Sequence, residues 1–115
     1  MGRINSSVTM HLGEYRELNV SVQNSAGSAI DLSNVTSITW AMAQNENSTS
    51  LLTKSYPNNG IRIDTPANGI FTVVLSGVDT SSLSPGNYYH EAIYDLGGKT
   101  INALAGTIKL RPTII

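Results

Sequence analysis

The sequence predicts an all-β domain, an antiparallel sandwich of about seven to eight strands. Apolar and polar residues alternate with a period of two along most of the chain, which is the pattern of strands that bury one face. Clusters of Gly, Pro and Asn interrupt this alternation, and helical periodicity is almost absent. Short strands with a turn between each pair are typical of a sandwich or a small barrel.

The first half of the chain contributes a strand at residues 15–22, a turn, and a brief return strand at 30–32. A further strand follows at 35–42, with Trp40 on its apolar face. Because Trp40 is the only Trp and has the largest apolar surface of any side chain, we expect it at the centre of a core between two sheets.

The second half contributes the remaining strands, at residues 51–56, 61–63, 70–75, 88–94 and 100–110. Turns rich in Gly separate them, including a hairpin turn at residues 66–69. Asp79 or Thr80 is expected to cap a single helical turn that runs to Leu83, since a short side-chain oxygen can accept hydrogen bonds from the next main-chain amides.

Composition limits the function classes. The chain has 115 residues without a linker or repeat, so we expect residues 1–115 to form one domain. Charged residues make up 13% of the chain and its net charge is −1, and this charged share is about half the usual one. Lys and Arg are scattered singly, without the basic patch that a phosphate backbone requires. We therefore expect a weakly charged surface and no nucleic-acid binding.

Membrane insertion and secretion are also disfavoured. No stretch approaches the ~18 apolar residues that span a bilayer, and residues 1–10 lack the apolar core of a secretory signal. We therefore expect no membrane partner and folding in the cytoplasm. The absence of Cys excludes disulfides and thiolate metal sites. Glycosylation sequons at Asn5, Asn19, Asn34 and Asn47 are attributed to the Asn, Ser and Thr content.

The residues that could carry chemistry are few. The two histidines are His11 and His90, and a zinc site would need further carboxylate ligands brought together by the fold. His90 shares a strand face with Tyr88, so we expect a partly buried, hydrogen-bonded side chain instead. Serine is common, but no Gly-x-Ser-x-Gly elbow places a nucleophile. We predict no catalytic, cofactor-binding or metal-binding residues, and a protein that is not an enzyme.

Four aspartates lie near turns, at Asp31, Asp64, Asp79 and Asp95, and no calcium-binding loop contains them. Aspartate at a turn normally accepts hydrogen bonds from its own neighbouring main chain. We therefore expect all of them to be turn caps rather than ligands.

A turn at Pro85 and Gly86 precedes Tyr88, which begins the next strand. A Tyr in this position can donate a hydrogen bond from its hydroxyl back to the main chain, as in the tyrosine corner of immunoglobulin-like sandwiches. We expect the Tyr88 hydroxyl to reach the main chain between Asp79 and Leu83.

Short motifs accompany this corner in a fixed order along most of the chain. They are Gly27-Ser28-Ala29-Ile30-Asp31-Leu32, Ile38-Thr39-Trp40, Gly60-Ile61, Gly69-Ile70-Phe71, Asp79-Thr80, Leu83-Ser84-Pro85-Gly86-Asn87-Tyr88-Tyr89 and Gly106-Thr107-Ile108-Lys109-Leu110-Arg111-Pro112. In this order the chain resembles immunoglobulin-like modules of tailed-phage virion proteins. The resemblance is greatest to the N-terminal domain of phage baseplate upper proteins and to related tail-fibre or head-accessory proteins.

The resemblance implies an immunoglobulin-like sandwich that serves as a non-enzymatic structural protein of the virion, synthesised in the host cytoplasm. Its expected role is a small accessory or decoration module, with other virion proteins of the capsid, tail or baseplate as partners. Residues 1–10 and 111–115 are predicted to be extended arms, of which residues 1–10 and 113–115 contact a partner subunit. That subunit is either another virion protein or a copy of this chain in a homo-oligomer. The alternative is that both arms fold back on their own domain.

The alternative function is an adhesion or glycan-binding module of the same fold. Tyr88, Tyr89 and Tyr94 are the aromatic residues that could stack on sugar rings, but alternation places Tyr89 on the opposite face from the other two. One exposed Tyr is a poor platform for stacking, so only a weak glycan contact is expected.

Overall fold

The computed structural model describes residues 4–24, 26–57 and 59–112, with only the main chain of residues 4–6. Two sheets pack face to face around one core, which confirms the predicted all-β sandwich. The strands are β1 (Ile4–His11), β2 (Arg16–Ser21), β3 (Ser37–Ala43), β4 (Ser50–Tyr56), β5 (Ile61–Thr65), β6 (Ile70–Leu75), β7 (Gly86–Leu96) and β8 (Lys99–Arg111). A 3-10 turn (Pro66–Asn68) joins β5 to β6, and a one-turn helix, α1 (Gly77–Thr80), follows β6.

The two sheets differ in size and in pairing. One has five strands in the order β1-β8-β7-β3-β4, and the other has three in the order β2-β6-β5. All strand pairs are antiparallel except β1 with β8, which run parallel. The sandwich therefore departs from the predicted antiparallel arrangement at one edge of its larger sheet.

The predicted N-terminal arm lies at that edge. Ile4–His11 pair with β8 along their whole length, so these residues belong to the sheet of their own domain, as the alternative interpretation expected. At the other end, Arg111 is the last residue of β8 and pairs with His11. Residues 1–3 and 113–115, the rest of the two predicted arms, lie outside the described residues.

The strand predicted at residues 30–32 is wrong. The return of the chain toward β2 is limited to an isolated bridge between Gln23 and Ala29. After it, the Ile30 N–H donates to the Val22 carbonyl and the Leu32 N–H donates to the Pro66 carbonyl. Because consecutive main-chain groups bond to different elements, no ladder forms, although the Leu32 side chain is fully buried.

Trp40 occupies the centre of the core, as predicted. It is 0% exposed and belongs to the same buried cluster as Val20, Phe71 and Val73 from the facing sheet. Its indole Nε1–H donates to Nδ1 of His90 across the β3–β7 pair, at 3.1 Å. His90 is hydrogen-bonded, as predicted, but it is fully rather than partly buried. Its Nδ1 is the acceptor that the indole N–H needs in an apolar core.

An ion pair that no sequence pattern predicted joins the edge strand β4 to α1. The Lys54 side chain lies on the inner side of β4, and its Nζ is 2.9 Å from Oδ2 of Asp79, with both side chains mostly buried. Gly60, at a φ of +88°, leaves room for the Lys54 stem, since a Cβ there would lie 2.5 Å from Lys54 Cδ.

The helical turn begins earlier than predicted. Ser76, rather than Asp79 or Thr80, is the N-cap, and α1 ends at Thr80 instead of Leu83. The Asp79 carboxylate accepts a hydrogen bond from the Ser76 N–H at 2.7 Å. Asp79 therefore caps the helix, as predicted, but it does so from the third position of α1 rather than from the N-cap, and it also contacts Lys54.

Replacing Trp40 by Ala should lower the free energy of unfolding by about 3–5 kcal/mol, because the change removes the largest buried side chain and leaves a cavity. Chemical denaturation followed by circular dichroism measures the loss. A loss below about 1 kcal/mol would contradict the central position of Trp40.

The ion pair between Lys54 and Asp79 should make stability depend on pH. Burial acts to raise the pKa of Asp79, but the Lys54 ammonium and the Ser76 N–H outweigh burial and hold this pKa below its ordinary value. A carboxylate with a lowered folded-state pKa stabilises the fold above its unfolded-state pKa, and this contribution disappears as the pH falls through the folded-state pKa. We therefore expect the free energy of unfolding to fall as the pH drops below about 4.

The Lys54→Met variant isolates this effect. It should lower the free energy of unfolding by about 1–3 kcal/mol at neutral pH and flatten the acid dependence in denaturant titrations. The matched control is Asp64→Asn, which breaks an exposed ion pair with Arg62 and should leave the denaturation midpoint nearly unchanged. An acid dependence that is equally steep in Lys54→Met and in the wild type would contradict the role given to this pair.

Candidate functional site

A groove of about 200 Å³ opens on the outer face of the five-stranded sheet, at the loop of residues 44–49 that joins β3 to β4. Outward side chains of β3 and β7 and polar side chains of the loop line it. The lining residues are Thr39, Ala41, Ala43, Asn45, Glu46, Ser48, Ser50, Tyr89, Glu91 and Ile93. We call this feature the Tyr89 groove.

Strand register creates the groove. The facing pairs across β3 and β7 are Thr39 with Ile93, Ala41 with Glu91 and Ala43 with Tyr89. In each pair a small side chain on β3 stands opposite a larger one on β7. Since directly opposed side chains lie on the same face of a sheet, β7 forms a wall above a low floor on β3.

The loop at residues 44–49 forms the end of the groove. Asn45 organises it, because its carbonyl accepts from the Ser48 N–H at 3.2 Å and its side chain accepts from the Asn47 N–H at 3.0 Å. The pairing of β3 with β4 shifts register between Met42 and Ala43, where the strands leave each other. The tight turn brings the neighbouring Glu46 side chain to the rim of the groove.

The groove is acidic. Among the described residues, Glu46 and Glu91 are its only ionisable lining residues apart from the phenol of Tyr89, and no Lys or Arg of this part of the chain lines it. Neither carboxylate forms an ion pair with a described residue. The carboxylates that do form ion pairs are those of Glu14, Glu17, Asp64 and Asp79. Two uncompensated carboxylates beside a half-buried aromatic ring favour a cationic ligand.

The outer face of the three-stranded sheet differs from the groove in its charges, because its acidic and basic side chains form ion pairs with each other. Arg62 contacts Glu17 at 3.0 Å and Asp64 at 3.1 Å, and the Tyr15 hydroxyl donates to Glu17 at 2.6 Å. The hydrogen bonds from Arg62, followed by the one from Tyr15, lower the pKa of Glu17. This face offers little unpaired charge to a ligand.

The three tyrosines considered for sugar stacking lie as the alternation predicted. Tyr88 and Tyr94 point into the core, whereas Tyr89 lies on the outer face, where it is half-buried in the groove. The Tyr88 hydroxyl donates to the Ser84 carbonyl at 2.6 Å. The corner bond therefore exists, but its acceptor lies one residue beyond the predicted range that ended at Leu83.

The histidines do not come together. His11 is exposed at the end of β1, with Nδ1 3.8 Å from Glu14, and His90 lies in the core. Within the described parts of the chain, no three His, Asp or Glu side chains are grouped so that they could hold a metal ion.

Two of the four predicted aspartate caps are wrong. Asp31 caps its turn by accepting from the Ser33 N–H at 2.9 Å, and Asp79 caps α1. Asp64 instead forms an ion pair with Arg62 along the same strand. Asp95 accepts hydrogen bonds from the hydroxyls of Ser37 and Thr100 on the neighbouring strands, and these bonds lower its pKa. Both lie inside strands, Asp64 in β5 and Asp95 in β7, rather than in turns.

Comparison with known proteins adds no relative, since neither a protein-family model nor a curated protein matches the sequence. No helix among the described residues has the length and apolar character needed to cross a membrane.

The corner bond gives a testable difference between adjacent tyrosines. Tyr88→Phe removes only the hydroxyl and leaves the Ser84 carbonyl without its donor, so it should cost about 1–2 kcal/mol of unfolding free energy in denaturant titrations. Tyr89→Phe is the matched control, because its ring lies on the outer face, and it should cost much less. Destabilisation by Tyr89→Phe alone would show that the corner is assigned to the wrong tyrosine.

Proposed function

We propose that this chain is a non-enzymatic protein-binding module and that it attaches to its partner through the Tyr89 groove. The resemblance to phage virion modules supports a virion protein as the partner and assembly onto the capsid, tail or baseplate as the role. The observation that carries the proposal is the groove itself, which combines an aromatic wall, a floor of small residues and two carboxylates without an ion-pair partner among the described residues.

The ligand that fits this chemistry is a Lys or Arg side chain on an exposed loop of the partner. Its aliphatic stem packs on Ala41 and Ile93 while its charged head contacts the carboxylates of Glu46 and Glu91. Tyr89 supplies the ring face or edge against which such a stem and head are commonly held. A volume of about 200 Å³ accommodates one long side chain rather than an extended peptide.

The surface around the groove suits a protein partner. Most outward residues of the neighbouring strands are short, and include Ser7, Thr9, Thr53, Ser55 and Thr107, although Lys109 of β8 also lies on this face. Short side chains lose little rotamer freedom when an interface forms, so burying them costs less entropy than burying Lys, Glu or Gln. The face can therefore lie flat against another protein around one inserted side chain.

Glycan binding is the second candidate, and the groove also supplies the observation in its favour. Tyr89 lies beside the amide of Asn45 and the two carboxylates, a set that can accept hydrogen bonds from sugar hydroxyls. We favour the protein partner because stacking on a sugar needs an exposed ring face, whereas Tyr89 is half-buried and is the single aromatic residue of the groove.

The test compares two double variants with the same change in net charge. Glu46→Gln with Glu91→Gln removes the carboxylates of the groove, and Glu17→Gln with Asp64→Asn removes two carboxylates from the opposite face. In binding assays against purified virion proteins, the groove variant should lose about tenfold or more in affinity, and the other variant should bind as the wild type does. Added salt should weaken the wild-type complex.

A glycan array with the same proteins separates the two candidates. Reproducible binding to a sugar that Tyr89→Ala abolishes, with no virion protein bound by the wild type, would overturn the protein-binding proposal in favour of the alternative. Equal loss of partner binding in both double variants would show that the groove is not the binding site.

A further inference from the structure

The outer edge of β1 differs from the other three sheet edges. Sheet edges expose unpaired main-chain groups, and proteins commonly protect them with charged residues, Pro or bulges. The other edge strands carry charged side chains: Arg16 and Glu17 on β2, Lys54 on β4, and Arg62 and Asp64 on β5. β1 is longer than any of these and contains no Asp, Glu, Lys, Arg or Pro. It is the edge with the least protection against another strand.

Hydrogen bonds show which main-chain groups of β1 point outward. The Leu12 N–H donates to the Arg111 carbonyl of β8, so even-numbered residues direct their main chain toward β8. The Thr9 carbonyl points the other way, because it accepts from Nη1 of Arg16 at 3.2 Å. Main-chain direction alternates along a strand, so Asn5 and Ser7 also point outward.

The two ends of this edge are not equivalent. At its C-terminal end, Arg16 covers the Thr9 carbonyl and the Glu14 carboxylate accepts from the His11 N–H at 2.8 Å. For the main chain of Asn5 and Ser7, the structure records no bond from the described residues beyond the pairing of β1 with β8. The open part of the edge is therefore the stretch centred on Ser7.

We propose that a second copy of this chain adds to this edge, with β1 pairing antiparallel to β1 of its partner and Ser7 opposite Ser7 at the two-fold axis. Asn5 then stands opposite Thr9 of the other copy. The uncharged strand is complementary to itself, since no like charges meet across the axis. About four main-chain hydrogen bonds form without displacing Arg16.

The arrangement would also place two Tyr89 grooves on one surface. Opposed residues of an antiparallel pair lie on the same face of the sheet, so the outer faces of both copies become continuous. β8 separates the groove, which β7 and β3 line, from β1, and the dimer leaves the grooves open. This consequence, unlike the dimer itself, rests on the proposed function: two linked grooves bind a repetitive partner more tightly than one.

A single engineered thiol tests the register. The chain has no Cys, and Cα atoms of a hydrogen-bonded antiparallel pair lie about 5.5 Å apart, within disulfide range. Ser7→Cys should therefore form a disulfide-linked dimer rapidly under mild oxidation, while Thr53→Cys, at the opposite edge of the same sheet, should remain monomeric. Crosslinking of Ser7→Cys no faster than that of Thr53→Cys would overturn the proposal.

Charge variants at the same position test it in solution. In sedimentation velocity, wild-type chain should show concentration-dependent dimers, and Ser7→Lys and Ser7→Glu should each be monomeric, because like charges would meet at the axis. Mixing these two variants should restore a one-to-one dimer. A monomeric wild type at its highest soluble concentration, or a mixture that stays monomeric, contradicts the proposal. Thermal unfolding near that of wild type confirms that each variant is folded.

The groove variant provides an independent check. Chain with Glu46→Gln and Glu91→Gln should dimerise as the wild type does, because neither residue lies on β1. Failure of partner binding with intact dimerisation, or the reverse, thus distinguishes failure of the proposed function from failure of the dimer.

Discussion

The buried pair of Trp40 and His90 fixes what the rest of the larger sheet can present to solvent. The indole N–H must find an acceptor inside the core, and Nδ1 of His90 provides it at 3.1 Å. With Trp40 facing inward on β3 and His90 facing inward on β7, the period of two forces Ala41 and Tyr89 outward. The Tyr89 groove therefore lies on the outer face of the same strands whose inner face forms the core. A shift of either strand by one residue would bring its groove residues inward and would break the bond between Trp40 and His90.

The same constraint makes the two faces of the molecule different. On the five-stranded sheet, small outward residues on β3 beside larger ones on β7 leave two carboxylates without cationic partners among the described residues. On the three-stranded sheet, Arg62 lies between two carboxylates and neutralises them. In a chain with so little charge, this local imbalance is an electrostatic feature that a partner can recognise.

The sequence predicted what depends on local pattern. Alternation was sufficient to place Trp40 in the core and to separate Tyr89 from Tyr88, and turn chemistry was sufficient for the corner bond. Local pattern did not predict that β1 is a strand of the sheet. Its parallel pairing with β8 joins residues about a hundred positions apart, and the sequence of a polar strand resembles that of a free arm. The contact of Lys54 with Asp79 was also missed, because it depends on how the separate elements β4 and α1 pack together. The small residues at alternate positions of β3 were the available signal for the groove. They predict a groove only once the register of β7 is known, because that register sets larger side chains opposite them.

The most direct test of this account is an NMR measurement of scalar coupling between Nε1 of Trp40 and Nδ1 of His90 through their hydrogen bond. We expect a measurable coupling in uniformly ¹⁵N-labelled protein and an indole proton that exchanges slowly with solvent, because both rings are buried. Absence of the coupling together with rapid exchange of the indole proton would contradict it. The inward register of both strands, and with it the groove, would then be wrong.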